Sequence, residues 1–161
     1  MKEMNRREVI GAMSAFAFLT TLADAQKAES GTPGDLTRSR VFSYDSLPVV
    51  HAQSGNESRA VVEGNLLTSE HVELHQTTLQ PGLMPHPPHR HSNSEFILLR
   101  QGTVDYLTDG HVERVNVGDI IYTASNKPHG MRNVGTVPAQ YYVVSVGVQD
   151  KATEVSLAPP A

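Results

Sequence analysis

A histidine-rich segment, PHPPHRHSNSE at residues 85–95, carries the side chains with the clearest chemical potential in this sequence. His89 and His91 are two residues apart, and Glu95 follows four residues later. Alternate residues of a β-strand point to the same face, so one strand edge can aim all three side chains at a single point. Two imidazoles and a carboxylate can bind iron, manganese, nickel, copper or zinc without thiolate. A fourth ligand could come from another strand, and His129 in NKPHGMRN is the best candidate.

Composition limits both the chemistry and the partners. The 161-residue chain contains no cysteine, which excludes disulfides, zinc–thiolate sites and thiol nucleophiles. Its formal net charge of -4 comes without a basic stripe, so we expect no nucleic-acid partner. The length suits one domain with a sizeable hydrophobic core.

The first 25 residues have the pattern of an export signal. A basic start that includes Arg6 and Arg7 precedes an apolar stretch, and Ala23 and Ala25 follow in the arrangement of a cleavage site. The adjacent arginines resemble the twin-arginine export signal, with an ordinary secretory signal or an uncleaved anchor as alternatives. We therefore predict a signal peptide at residues 1–25, a periplasmic or secreted mature protein, and no stable membrane anchor after cleavage.

The remaining chain divides into a body and two polar ends. Residues 26–40 are small, polar and turn-rich and predict a flexible leader, and residues 150–161 predict a flexible tail. Residues 41–149 form the predicted domain, with short β-rich runs and no amphipathic helix. The first run is RVFSYDSL, at residues 40–47, and TDG at residues 108–110 predicts a two-residue hairpin between two later runs. Many short strands at close spacing indicate an antiparallel sandwich or barrel.

Two motifs in this body resemble those of the cupin family. The first reads G-x6-H-x-H-x3-E-x6-G from Gly82 to Gly102, and the second joins the Gly-Asp at Gly118 to His129 and then to Asn133. Where the family has glycine inside the second motif this chain has an asparagine in TASNKP, which tolerates the left-handed backbone that glycine would serve. The resemblance covers roughly residues 72 to 147. It implies turn or barrel-corner positions for Gly102 and Gly118, and a structural role for Asn133.

The resemblance implies an all-β fold, a double-stranded β-helix in which two sheets form a small jelly-roll barrel. It also implies one divalent metal ion, whose identity among Fe, Mn, Ni, Cu and Zn stays open. The residues that would hold this ion are His89, His91, Glu95 and His129. Glu95 could in addition loosen from the ion and act as a catalytic base.

Two classes of function are compatible with such a site. Three imidazoles and one carboxylate leave open positions on an octahedral metal, where a small oxygen-rich substrate and dioxygen can bind side by side. We therefore favour an exported metal-dependent enzyme with oxygenase chemistry, or with the decarboxylase or isomerase chemistry of other cupins. The alternatives are a non-catalytic cupin that binds a metal or a small ligand such as a sugar or organic acid, and a barrel without metal. The resemblance also implies pairing of two copies through an outer sheet.

Other histidines lie outside the predicted ligand set. His86 has the opposite strand parity to His89 and is expected in a loop or beside the site. His71, Glu73 and His75, in HVELH, share one strand face, which we expect to point to solvent. Their order differs from the His-Glu-x-x-His of zinc peptidases, so a peptidase is not indicated.

Overall fold

The computed structural model describes residues 35–108 and 110–156, which fold almost entirely into β-strands. A short 3-10 helix at Tyr44–Ser46 precedes the strands. The strands are β1 Val49–His51, β2 Glu57–Asn65, β3 His71–Leu79, β4 His89–Arg90, β5 Ser94–Gln101, β6 Val104–Thr108, β7 His111–Val115, β8 Ile120–Thr123, β9 His129–Asn133, β10 Ala139–Val146 and β11 Thr153–Glu154. The predicted signal peptide and most of the predicted leader lie outside the described residues. Within the described ranges, we find no helix with the length and apolar character needed to cross a bilayer.

Two antiparallel sheets form the barrel. The larger sheet has six strands in the order β1-β2-β3-β10-β5-β8, and the smaller sheet has five in the order β11-β4-β9-β6-β7. Several neighbours in each sheet are distant in sequence, because the chain crosses repeatedly from one sheet to the other. The predicted all-β jelly-roll barrel is therefore confirmed.

The hydrophobic core lies between the two sheets. Along β10 every second residue is buried, which is the pattern of a strand with one face on a core. Ile97 is opposite Val143 in the register, and Ile97 and Leu99 share their strand face with Glu95, as the spacing predicts. The core residues come from both sheets and are Leu79, Ile97, Leu99, Val104, Tyr106, Val115, Ile121, Met131, Ala139, Tyr141 and Val143.

The backbone confirms three turn and corner predictions. Strands β6 and β7 pair Thr108 with His111, which leaves the two-residue connection that Asp-Gly favours. Asn126 has a φ of +60°, so it takes the left-handed conformation expected of it. Gly102 has a φ of +84°, and a Cβ there would lie 2.8 Å from the Cα of Ala139, so the corner between β5 and β6 requires glycine.

The first predicted strand is wrong. Within RVFSYDSL, Tyr44–Ser46 form a 3-10 helix instead, and the amide of Ser46 donates to the carbonyl oxygen of Ser43 at 3.0 Å. Serine and aspartate side chains favour turns because they compete for local backbone hydrogen bonds. This local preference outweighs the β-propensity of the aromatic and branched residues in the run.

The chain end also differs from expectation. Thr153–Glu154 form β11, which pairs with β4 and places Glu154 opposite His89. The Asp150 carboxylate accepts hydrogen bonds from the amide and hydroxyl of Ser92, at 2.9 and 2.6 Å. This part of the predicted flexible tail is therefore a strand of the smaller sheet, held directly beside a candidate ligand.

Candidate metal centre

Three histidines from neighbouring strands of the smaller sheet meet inside the barrel. His89 begins β4, His129 begins β9, and the two are directly opposite in the register, while His91 directly follows β4. Their ring centroids are 4.5 to 5.1 Å apart. One nitrogen from each ring lies within 4.8 Å of the others, and all three residues are buried. Three buried histidines therefore lie close enough together to hold one metal ion.

Glu95 joins this cluster from the larger sheet. Its Oε1 is 3.2 Å from Nε2 of His91, and its Oε2 is 3.8 Å from Nε2 of His129. Ser145, directly opposite on β10, donates a hydrogen bond from Oγ to Oε1 of Glu95 at 3.1 Å. The structure thus brings all four residues of the predicted ligand set together.

The three histidine rings each use Nδ1 for a hydrogen bond, which leaves Nε2 as the nitrogen that could bind a metal ion. Nδ1 of each ring lies 2.9 to 3.3 Å from a backbone carbonyl oxygen two residues away. Because a carbonyl accepts, Nδ1 of each ring carries a proton, and Nε2 keeps its lone pair in every ring that is neutral. The buried Nε2 atoms of His91 and His129 have no aligned hydrogen-bond partner, although Glu95 lies close to both. Imidazoles that ligate metals are oriented by such a second hydrogen bond.

The electrostatics of the cluster favour the forms that bind a cation. Burial lowers the pKa of His89 to about 3, and the positive charges of neighbouring histidines oppose its protonation further. Burial also lowers the pKa of His129. Burial acts to raise the pKa of Glu95. The hydrogen bond and charge of His91 outweigh this effect, together with smaller contributions from His129 and Ser145, and lower the pKa of Glu95 to about 2. Burial acts to lower the pKa of His91, but the contact and the charge of Glu95 outweigh burial. The pKa of His91 is therefore raised. At neutral pH the cluster therefore offers an ionised carboxylate and at least two unprotonated imidazoles.

Neither His86 nor Asn133 belongs to the ligand group, as expected for both residues. The ring of His86 packs edge-on against that of His89, with centroids 4.1 Å apart, so His86 is beside the cluster. Asn133 is fully buried, and its Nδ2 donates to the carbonyl oxygens of Leu79 and Val137 at 2.8 and 2.9 Å. Its role is structural, because it joins three backbone segments.

The expectation that His71, Glu73 and His75 point to solvent is wrong. Glu73 is opposite Ser145 in the register, and Ser145 is opposite Glu95 on its other side, so Glu73 and Glu95 share the inner face of the larger sheet. Nδ1 of His75 lies 2.8 and 3.0 Å from the two carboxylate oxygens of Glu73. Strand parity fixes which residues share a face, whereas the register with neighbouring strands decides which face is inside.

Comparison with known proteins agrees with this architecture. Residues 75–145 match the family model for the cupin domain. No curated protein matches the chain in sequence. Among solved structures, the polyketide cyclase RemF from Streptomyces resistomycificus is 17% identical with a TM-score of 0.59, over 76% of this chain and 89% of that one.

Two further solved structures have the same fold. A cupin-2 domain from Rhodospirillum rubrum is 15% identical with a TM-score of 0.60, over 73% of this chain and 80% of that one. A sugar phosphate isomerase of the cupin superfamily from Silicibacter pomeroyi is 17% identical with a TM-score of 0.57, over 68% of this chain and 76% of that one. At these identities the three structures establish a shared fold.

Proposed function

Since the family match and the fold support placing this domain in the cupin superfamily, we propose that the protein is an exported mononuclear metal-binding cupin that acts as a metal-dependent enzyme on a small oxygen-rich substrate. The observation that carries the proposal is the pair of buried Nε2 atoms on His91 and His129, which make no aligned hydrogen bond and lie 3.2 and 3.8 Å from the Glu95 carboxylate. Each buried polar atom without a partner costs about 1–3 kcal/mol. A cation between these groups would satisfy both nitrogens and the carboxylate at once.

The residues that would hold one divalent metal ion are His89, His91, Glu95 and His129. Their donor set of imidazole and carboxylate suits Fe, Mn, Ni, Cu or Zn and leaves positions for an oxygen-rich ligand. When bound, such an ion supplies Lewis-acid polarisation and a template for a ligand that chelates through two oxygens. Glu95 is the candidate catalytic base, because its hydrogen bond from Ser145 can hold the carboxylate in place while one oxygen accepts a proton.

The walls around the cluster suit chemistry away from bulk water. Ile97 and Leu99 follow Glu95 on the same face of β5, and both are buried. A dry apolar wall strengthens the electrostatic contacts made beside it. Two of the structural neighbours are named as enzymes, a polyketide cyclase and a sugar phosphate isomerase, so the fold is compatible with catalysis on oxygen-rich molecules.

The test combines metal analysis with turnover on the exported, purified chain. We expect about one metal ion per chain in the wild type and in His111→Ala, an exposed control on β7, and loss of the ion in His129→Ala. Oxygen consumption is then measured with catechols, flavonoids, thiols and dicarboxylates, and turnover should disappear together with the metal. Stoichiometric metal and saturable ligand binding without any turnover would favour the non-catalytic alternative. Absence of stoichiometric metal from the wild type would refute the metal centre.

We further propose export by the twin-arginine route, which rests on the sequence NRREVIG. This route would let the barrel fold around its metal before it meets competing periplasmic copper and zinc. Replacing Arg6 and Arg7 together by lysine should abolish export, as measured by the amount of protein in periplasmic and culture fractions. Continued secretion of this variant would refute the twin-arginine route.

The outer face of the larger sheet is the surface we propose for pairing two copies. Phe96 opposes Tyr122 and Leu98 opposes Ile120 in the register, which places four apolar side chains together at the β5–β8 edge. Their exposed fractions are 42, 57, 37 and 63%, respectively. Contiguous exposed apolar groups of this kind mark interaction surfaces. Ile120→Arg should convert a dimer to a monomer in sedimentation experiments, whereas a dimer that persists would place the contact elsewhere.

A further inference from the structure

Glu73 and His75 form a second polar pair on the inner face of the larger sheet, outside the candidate ligand set. Nδ1 of His75 lies 2.8 Å from Oε1 of Glu73, and their side chains are 24 and 17% exposed. Both residues are on β3, which pairs with β10 on one side and β2 on the other. A titratable pair on the wall of a barrel, largely removed from solvent, calls for a functional explanation.

The register places this pair on the same wall as the candidate metal centre. Glu73, Ser145 and Glu95 form one row across β3, β10 and β5, and strands about 4.8 Å apart put the two carboxylate residues roughly 10 Å apart. His75 lies in the adjacent row, opposite the core residue Val143. The pair and the candidate metal centre therefore face the barrel interior from one wall, separated by a distance that a substituted ring would span.

His86 lies beside the ligand set, in the segment before β4. The ring of His86 in turn packs against His89. The other charged groups facing the pair are Glu63, which is opposite Glu73 on β2, and Glu95, beyond Ser145.

The hydrogen bond fixes which nitrogen of His75 is available. A carboxylate only accepts, so Nδ1 of His75 donates the proton and Nε2 keeps its lone pair. Within residues 35–108 and 110–156, Nε2 has no hydrogen-bond partner. A carboxylate on Nδ1 also stabilises the imidazolium that forms when Nε2 takes a proton. The pair therefore has the geometry of a proton acceptor and the group that orients it.

We propose that His75 accepts the proton of a hydroxyl group on an oxygen-rich ligand held at the candidate metal centre, and that Glu73 is its positioning residue. The inference rests on the proposed function. In this step the ligand O–H bond breaks, an N–H bond forms at Nε2 of His75, and the electron pair stays on the ligand oxygen. Nothing is oxidised or reduced, and the Glu73 carboxylate balances the positive charge that forms on the imidazole.

The first test uses 4-nitrocatechol, whose visible absorption reports its ionisation, bound to the metal-loaded full chain. We expect His75→Gln to retain its metal but to bind the probe about tenfold more weakly near pH 6.5, with ionisation of the bound probe moved to higher pH. Glu73→Gln should shift ionisation in the same direction, and Glu73→Asp should restore part of it. His51→Gln is the matched control, because His51 also pairs with a glutamate, Glu57, but is 69% exposed on β1. If fully metallated His75→Gln binds and ionises the probe like the wild type, this inference is overturned and the proposed metal centre is unaffected.

The second test separates this inference from the metal centre. If the wild type takes up no metal, the proposed function fails, and the pair is judged in metal-free protein with diethyl pyrocarbonate, which acylates unprotonated imidazole. Peptide mass spectrometry should show His75 modified in the wild type, and modified about tenfold more slowly in Glu73→Gln. An unreactive His75, or a rate that Glu73→Gln leaves unchanged, would overturn the assignment of a proton-accepting pair.

Discussion

Replacing His129 by alanine should abolish metal-dependent stabilisation while preserving the metal-free fold. His129 begins β9, and the pairing of β9 with β4 and β6 is made by the backbone, which alanine keeps. In the metal-free protein the ring contributes a buried Nε2 without a partner, so its removal eliminates an unfavourable group as well as packing. The variant should therefore fold, and its defect should appear only when metal is added.

The expected magnitude follows from mass action. Metal at a free concentration 100 times its Kd stabilises the folded state by about 2.7 kcal/mol. For a domain of this size that corresponds to a rise in Tm of roughly 10 °C. Loss of one ligand should weaken binding by about 100-fold or more, because even groups that only orient a ligand account for 10–100-fold. At the same metal concentration the variant then gains no more than about 0.4 kcal/mol, or roughly 2 °C.

The assay is a thermal melt of chelator-treated full chain with increasing Mn²⁺, Ni²⁺ or Zn²⁺. His86→Ala is the informative control, because its ring touches His89 at 4.1 Å between centroids yet lies outside the proposed ligand set. We expect this control to keep most of the metal-induced rise in Tm. If His129→Ala keeps the wild-type rise, or if His86→Ala loses as much as His129→Ala, the proposed ligand set is wrong.

Three further predictions concern stability measured by urea unfolding of the metal-free protein. The pKa of His89 is about 3 in the folded state and about 6.5 in the unfolded state, so its contribution to the free energy of unfolding is complete above pH 6.5 and is lost as pH falls toward 3. About 2 kcal/mol should be lost by pH 5, and His89→Gln should reduce that loss. Asn133→Ala should cost about 2–4 kcal/mol, because the buried carbonyl group of Leu79 and two partly buried backbone groups lose their hydrogen bonds. A cost below about 1 kcal/mol would contradict the structural role of Asn133. Gly102→Ala should lower the free energy of unfolding by about 1 kcal/mol or more beyond the effect of Gly82→Ala. Both glycines have a positive φ, but only Gly102 lies close to another backbone segment, so equal effects would refute this reasoning.

The part of the fold that depends on local chemistry could be predicted from the sequence. Alternation in EFILLRQG places Ile97 and Leu99 on one face, and Asp-Gly gives the β6–β7 hairpin. Asn126 takes the left-handed conformation because its short polar side chain tolerates it. The strand expected at residues 40–47 is absent because Ser43 and the following turn-forming residues favour a 3-10 helix there.

The candidate site was only partly predictable, because some of its residues are close in sequence whereas others come together through strand pairing. His89, His91 and Glu95 lie within seven residues of one another, so spacing alone suggests a common focus. Proximity of His129 requires the pairing of β9 with β4, which the distance of His129 along the sequence does not reveal. The inner position of Glu73 depends on the pairing of β3 with β10, and no local pattern in HVELH reports that register.

The inner face of the larger sheet changes from apolar to polar along the barrel, and Ser145 marks the change. Inward-facing residues of β10 before it, such as Val143, pack against apolar neighbours such as Ile97. Ser145 instead lies between Glu73 and Glu95, and its hydroxyl donates to Glu95. A valine at this position would leave that carboxylate oxygen without its donor, at the cost of an unsatisfied charged group. Ser145 therefore supplies the carboxylate of Glu95 with a hydrogen bond that an apolar residue in this row could not make.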